Sequence, residues 1–585
     1  MNRSKITKLL AVFASALLII IIGVASFAYF GTFSVNLNNN VAVNINSSSP
    51  GNATFIANAT QLNLVVPAAD MSFTVANNTV AAKEDTAYLD VTLTGSPNLL
   101  TICTYDIVYE YNSGSNVYGQ GTTTKTSGAT KEITIEVNGM NGNNHFAEET
   151  NFDYTNIQSY YDNTNKYYKL VENATIKSLG TEQSVRWKII GRYYNLEASQ
   201  SQLGGKAFTG KIYAVSKGCD SKDGSTVQSG YQTILTNNGG VSAIETKETP
   251  DFTASATTNE GMYKATDDLG TSYYFRGAVD NNWVKYGKYT KDMYNCNDGT
   301  ISITDTGNSC IKIATKGDDI YWRIIRINGD NSVRMIYAGT YSPSSNTKVN
   351  LNESFVYDSY ATLIGSSVFN TNNDSSEYVG YMYTVGQQHG TGTSSMIKNY
   401  LEDWYANYTD LNKTGTKIAD QIYCNDRTAS TSNSGTPGEI SSWTSTGIEY
   451  YYGANNRIFG NSSTSNPILT CSNTSDKFST TTAKGNGKLS YPVGLITADE
   501  VNMAGADNKY NVNTNYYLYN GYYFWGGSPL IFYKGSRAGE NLIYTNGNLS
   551  GNYVDLNAGV RGVVSLSPDV KLLGSGTYDD VYTVG

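Results

Sequence analysis

Tyr321-Trp322-Arg323-Ile324-Ile325-Arg326-Ile327 runs into Asn328-Gly329-Asp330-Asn331, and one serine later Val333-Arg334-Met335-Ile336-Tyr337 begins. Two β-rich runs flanking Asn-Gly predict a hairpin. Toward the C-terminus, Met396, Ile397, Tyr400, Leu401, Trp404 and Tyr405 share one stripe of a helix from about Ser394 to Tyr408. Thr497-Ala498-Asp499-Glu500 reads as a capping box that opens a second, shorter helix, with Gly505 placed to end it. Val560-Arg561-Gly562-Val563-Val564-Ser565-Leu566 reads as a buried strand. Helices inserted among many strands make 271–585 an α+β domain.

Toward the N-terminus the pattern is strand alone. Leu89, Val91 and Leu93 alternate with polar neighbours, as do Ile133, Ile135 and Val137. Val185 to Tyr194 and Phe208 to Val215 predict two more strands, with a turn at Gly204-Gly205 between them. Residues 31–220 are therefore expected to form an all-β sandwich. Ser, Thr, Asn, Gly and Asp dominate 221–270, which reads as a flexible linker.

Arg3, Lys5 and Lys8 precede an uncharged apolar run from Leu9 to Phe30. Cationic residues stay on the cytoplasmic side, so the chain beyond 1–30 is expected outside. The run is long enough to span a bilayer through residues 9–30. Ser26-Phe27-Ala28 is also a small-x-small site, which makes Ala28 and Tyr29 a cleavage candidate. Both fates stand: an anchor with its N-terminus inside, or secretion after cleavage. No LPxTG-like motif and no second apolar segment occurs in the sequence.

Six cysteines fit export, where an even count usually means disulfides. Pairing Cys103 with Cys219, Cys296 with Cys310 and Cys424 with Cys471 keeps each bridge inside one proposed domain. The sequence is only 39% hydrophobic and 16% charged, but 48 Tyr, 17 Phe and 6 Trp supply the buried area a fold needs. A net charge of −9 argues against nucleic-acid binding, which needs a basic face.

The basic region, the apolar run and Ala28-Tyr29-Phe30 resemble the export signal of the TasA/camelysin family of Gram-positive surface and matrix proteins. Tyr194-Asn195-Leu196 through Gly210-Lys211-Ile212-Tyr213 is similar to the closing strands of their sandwiches. The resemblance implies signal removal by a dedicated peptidase and, for some members, fibres built by donating an N-terminal strand. Here that donor would be Phe33 to Ile45; the other reading makes it the first strand of its own sandwich. The ordered series of hairpin, Leu401-to-Trp404 helix, Leu495-to-Glu500, Tyr522-to-Pro529 and Val560-to-Val564 resembles an uncharacterised domain of low-GC Gram-positive surface proteins. That domain is related to the C-type-lectin/formylglycine-generating-enzyme fold, and the resemblance carries no activity with it.

Catalytic chemistry finds little to stand on. His145 and His389 are the only histidines and fall in different domains, so His-based metal or triad sites are not expected. No HExxH, GxSxG or Walker-type loop is present, and neither are the calcium-lectin motifs. Cys424 and Cys471 would be the reactive pair of the formylglycine branch, and a structural disulfide explains them better. Asp318-Asp319, Asp499-Glu500 and Asp579-Asp580 are expected to face solvent or cap helices. No cofactor or metal is expected. Tyr450, Tyr451, Tyr523 and Trp525 are the candidate ligand surface for a glycan or protein, with core packing as the alternative. The expectation is a non-catalytic surface or secreted interaction protein, an adhesin or matrix component. A fibre-forming, self-associating subunit is the alternative.

Overall fold

The computed structural model describes residues 41–46, 52–65, 83–111, 133–152, 158–194, 207–296, 299–304, 310–343, 362–461, 463–534 and 537–585. The apolar segment 9–30, the Ala28–Tyr29 site, Gly204-Gly205 and most of Phe33–Ile45 lie outside them. No helix among the described residues is long and apolar enough to cross a membrane.

The N-terminal strands form two sheets. In chain order the first six are β1 (Val41–Asn46), β2 (Asn52–Ala57), β3 (Thr60–Val65), β4 (Lys83–Thr94), β5 (Leu99–Tyr111) and β6 (Ile133–Asn138). Then come β7 (Asn143–Asn144), β8 (Thr150–Asn151), β9 (Tyr161–Asp162), β10 (Tyr167–Ser178), β11 (Glu182–Tyr193) and β12 (Ala207–Asp223). One sheet has the order β1-β2-β4-β11-β6-β8, the other β3-β12-β5-β10-β7 with β9 on β10. Alternation buries Leu89, Val91 and Leu93 of β4 on the inner face. The indole Nε1–H of Trp187 on β11 donates to the Tyr105 hydroxyl on β5 (3.0 Å), which ties the two sheets across a dry core. Val41–Ile45, the end of the donor candidate, pairs antiparallel with β2 of the same chain.

The hairpin that opens the sequence reading is present: Asp319–Ile327 pairs antiparallel with Val333–Gly339, and every residue of both strands is buried. Its turn works differently from the dipeptide signal. The positive φ falls on Asn331 (+68°). Gly329 is required instead for close approach, because a Cβ there would lie 2.2 Å from the Gly270 nitrogen. The long helix spans Met396–Tyr408, capped by Ser395 Oγ accepting from Lys398 N, and buries Ile397, Leu401 and Trp404. The short helix Ala498–Ala504 has its Thr497/Glu500 capping box and Gly505 at φ +136°. A third helix, Gly453–Phe459, packs on the strand Phe524–Tyr533.

The stretch 221–270 is not the flexible linker its composition implies. It contains the rest of β12, helices Gly230–Asn237 and Val241–Glu245, and the strand Asn259–Asp267. Ile234, Leu235 and Ile244 are buried in the C-terminal core, and Gly230 N donates to Val570 O from the far end of the chain (2.6 Å). Met262 of the strand joins them there.

The two β units meet through buried charge. β11 pairs with β6 only from Lys188 onward, which leaves the edge at Glu182–Trp187 open. Side chains of the C-terminal unit cap that edge. Lys285 Nζ donates to Ser184 O, and Asp319 accepts from Arg186 N (3.1 Å) and from Lys288 Nζ (2.7 Å). Burial lowers Lys285 to about 8. Burial would raise Asp319, but Lys285 and Lys288 outweigh it and hold its carboxyl below its usual range. Trp283, Tyr321 and Val581 of the C-terminal unit pack into the N-terminal core. Of Asp318 and Asp319, expected to face solvent or cap helices, Asp319 is instead buried between Lys285 and Lys288, and Asp318 stays partly exposed, 3.8 Å from Arg186.

Candidate functional site

Tyr450–Tyr452 is a short strand, and its alternation decides which tyrosines a ligand can meet. Tyr450 and Tyr452 point inward and are fully buried. Tyr450 stacks on Trp443 at 4.4 Å, and the Tyr452 hydroxyl donates to Ser376 O. Tyr451 points the other way, its hydroxyl donating to Glu449 Oε1 (2.6 Å); that bond and partial burial push it up to about 12. Trp525 is also core: its Nε1–H donates to Ser367 O (2.8 Å) and its ring meets Phe369 edge-on. Tyr450 and Trp525 are therefore removed from the candidate surface, because a fully buried ring offers no face to a ligand. Tyr523 is 47% exposed, but it precedes Phe524 at the opposite end of the strand from Ile531, the partner of Tyr451. The two are roughly 25 Å apart at about 3.3 Å per residue.

Around Tyr451 the register assembles a trough. Tyr451 pairs with Ile531, Ile531 with Gly539 and Gly539 with Tyr553, so one transverse row crosses four strands on one face. Tyr533, two residues beyond Ile531, shares that face and is 45% exposed; its strand partner is Arg537. Arg537 lays its guanidinium 4.7 Å from the Tyr553 ring centroid. Burial, then neighbouring Tyr553 and Glu449, raise the Tyr533 hydroxyl. Tyr510 also couples to Tyr533; it is held at φ +60° and stacked on Phe459 at 5.0 Å. Gly539 forms the floor between Tyr451 and Tyr553. A Cβ there would meet Asn552 O and the Ile531 Cγ2 at 3.4 Å, ordinary contact, so the glycine keeps this part of the row low without relieving a clash. Tyr533, Arg537, Gly539 and Tyr553 could not be joined to Tyr451 by sequence reading, since pairing across four strands creates the row.

The other expected groups are structural. The cysteines close as Cys103–Cys219, Cys296–Cys310 and Cys424–Cys471, with no free thiol. Asp499 and Glu500 do not face solvent. Glu500 sits 2.6 Å from Arg334 and 2.9 Å from Arg326, and Asp499 lies 2.8 Å from Arg457. These pairs leave a cavity of about 30 Å³ beside the Cys424 bridge, room for a water or two. His389 Nδ1 lies 2.8 Å from Asp476, which also accepts from Arg427 N and Nε. Among the described residues no group of three or more His, Cys, Asp or Glu is placed to hold a metal.

No family model, no curated protein and no solved structure matches this chain.

Proposed function

We propose that this protein is an exported interaction protein, an adhesin or matrix component, that engages a glycan along the tyrosine trough of its C-terminal unit. The carrying observation is the row Tyr451–Ile531–Gly539–Tyr553: two aromatic walls flanking a low apolar floor of Ile531 and Gly539, with Arg537 and Tyr533 at one end. Flat rings with hydroxyl edges suit the apolar faces and hydroxyls of sugar rings. Three disulfides support an oxidising, extracytoplasmic setting.

The test is a glycan-array and calorimetric comparison of the full-length protein with Gly539→Val. Valine suits a strand and its Cβ finds ordinary contact distances here, so the fold is expected to persist, which the variant's melting temperature checks. Filling the trough is expected to abolish binding of the array hits. Hits that bind Gly539→Val and Tyr553→Ala as well as the parent would overturn the reading.

A further inference from the structure

A second recess lies where the two units join. It measures about 290 Å³, near the lower end of ligand-pocket volumes. The register of the outer face of the first sheet builds one wall: Tyr88 on β4 pairs with Lys188 on β11, and Lys188 with Asn138 on β6. The C-terminal unit supplies the opposite wall, including Lys312, Asp318, Tyr341 and Ser342.

The charges in this cleft are not equally engaged. Arg186 is bound by Asp90 through Nε (2.8 Å) and Nη2 (2.9 Å). Lys312 is held by Asp292 (2.8 Å) and Glu84 by Arg192 (2.9 Å). Asp319 belongs to the junction, and the Asp318 carboxylate accepts from Thr315 N (2.7 Å). Lys188 differs. Its ammonium donates to the Tyr341 hydroxyl (2.8 Å) and lies 4.6 Å from that ring's centroid, with no carboxylate within salt-bridge distance among the described residues. The cleft thus offers one cation outside any ion pair, seated on the Tyr341 ring, with Asp318 acting on it only from beyond salt-bridge distance and with Tyr88, Thr86, Thr340 and Asn138 lining the recess.

We infer that the junction cleft is a binding site for a hydroxylated ring carrying one carboxylate, a sugar of the uronic-acid type, with Lys188 as the anion's partner. A charge-assisted bond to Lys188 supplies preference for the acid. The rings and hydroxyls supply contacts that acid and neutral sugars share. Because both units contribute walls, the bound sugar spans their junction. This site shares no residue with the tyrosine trough and stands or falls separately from it.

Calorimetry of the full-length oxidised protein with digalacturonate and with neutral digalactose tests this. The acid is expected to bind about ten-fold tighter, about 1.4 kcal/mol. The preference is expected to shrink as salt rises. Lys188→Met should erase it and Lys188→Arg should keep it, both with the parent's melting temperature. Gly539→Val should leave it unchanged. Equal binding of the two sugars, no binding of either, or an acid preference that survives Lys188→Met would each overturn the inference. If Lys188→Met does not fold, Lys188→Gln takes its place: loss of the preference in Lys188→Gln and its retention in Lys188→Arg decide the matter, and failure of either overturns the inference.

Discussion

At the residue scale, environment separates side chains that the sequence presents as equals. Tyr450, Tyr451 and Tyr452 are chemically identical neighbours, yet two complete the core and one walls a trough. Asp499 and Glu500 look like the acidic first turn of a helix and do cap one, but Glu500 is also the shared anion of two buried arginines. Burial alone would raise its carboxyl; Arg334, Arg326 and the Thr497 backbone outweigh it and lower it from 4.5 to about 2. A depressed carboxyl contributes stability that is present above its unfolded value and lost as pH falls through the folded one. The window is therefore about pH 4.5 down to about 2, and the contribution about 3 kcal/mol at roughly 1.4 kcal/mol per unit. Guanidinium unfolding of the parent and of Glu500→Gln, followed from pH 6 to pH 2, is expected to show a steeper acid loss in the parent. At neutral pH the variant should be weaker by about 3–5 kcal/mol, because two buried cations lose an anion. Parallel curves would refute this role. Sequence could place Glu500 at N3 of a helix from four residues, but its arginines come from a hairpin more than 160 positions away.

At the scale of elements, local signals were readable and long-range completion was not. The hairpin, the capped helices and the alternating strands rest on neighbours within about ten residues, and all are present. The segment 221–270 misleads because its helices are only eight and five residues long, too short to show a full apolar stripe. The first is covered by residues at the chain's far end, Val570 and Leu572, and the second packs on the strand Asn259–Asp267. Disulfides are the other long-range device. Cys103 and Cys219 stand opposite each other in the β5–β12 register and close a separation of 116 residues, against 47 for Cys424–Cys471 and 14 for Cys296–Cys310. The chain-entropy account gives about 5, 4 and 3 kcal/mol for these loops. Replacing each pair by alanines should lower the unfolding midpoint in that order, measured in denaturant at constant slope. A Cys103/Cys219 variant as stable as the Cys296/Cys310 one would show that native strain or residual unfolded structure dominates instead.

At the scale of the molecule, the junction decides whether two sandwiched and mixed β units behave as two bodies or one. A loose interface would be wet and polar, and would leave the β11 edge to water. Here a lysine and an aspartate occupy the positions that a neighbouring strand would take, and the C-terminal residues return to the seam. Tyr582–Val584 pairs parallel with the strand Trp283–Lys288, Asp580 meets Lys177 (2.7 Å), and Gln183 donates to Val584 O (2.6 Å). Polar groups serve better than apolar packing at this place because the open edge presents both a carbonyl and an N–H, and here Lys285 supplies the donor and Asp319 the acceptor. The cost is dependence: removing either partner leaves the other buried and uncompensated. Asp319→Ala should therefore cost about 3–5 kcal/mol and free the Arg186 N–H along with Lys285 and Lys288. Calorimetry of the parent is expected to show one cooperative transition, and Asp319→Ala two, with the N-terminal unit melting apart from the rest. A parent that already melts in two independent steps, or a variant that keeps a single transition at the parent's temperature, would show that the apolar contacts of Trp283, Tyr321 and Val581 couple the units without help from the buried pair.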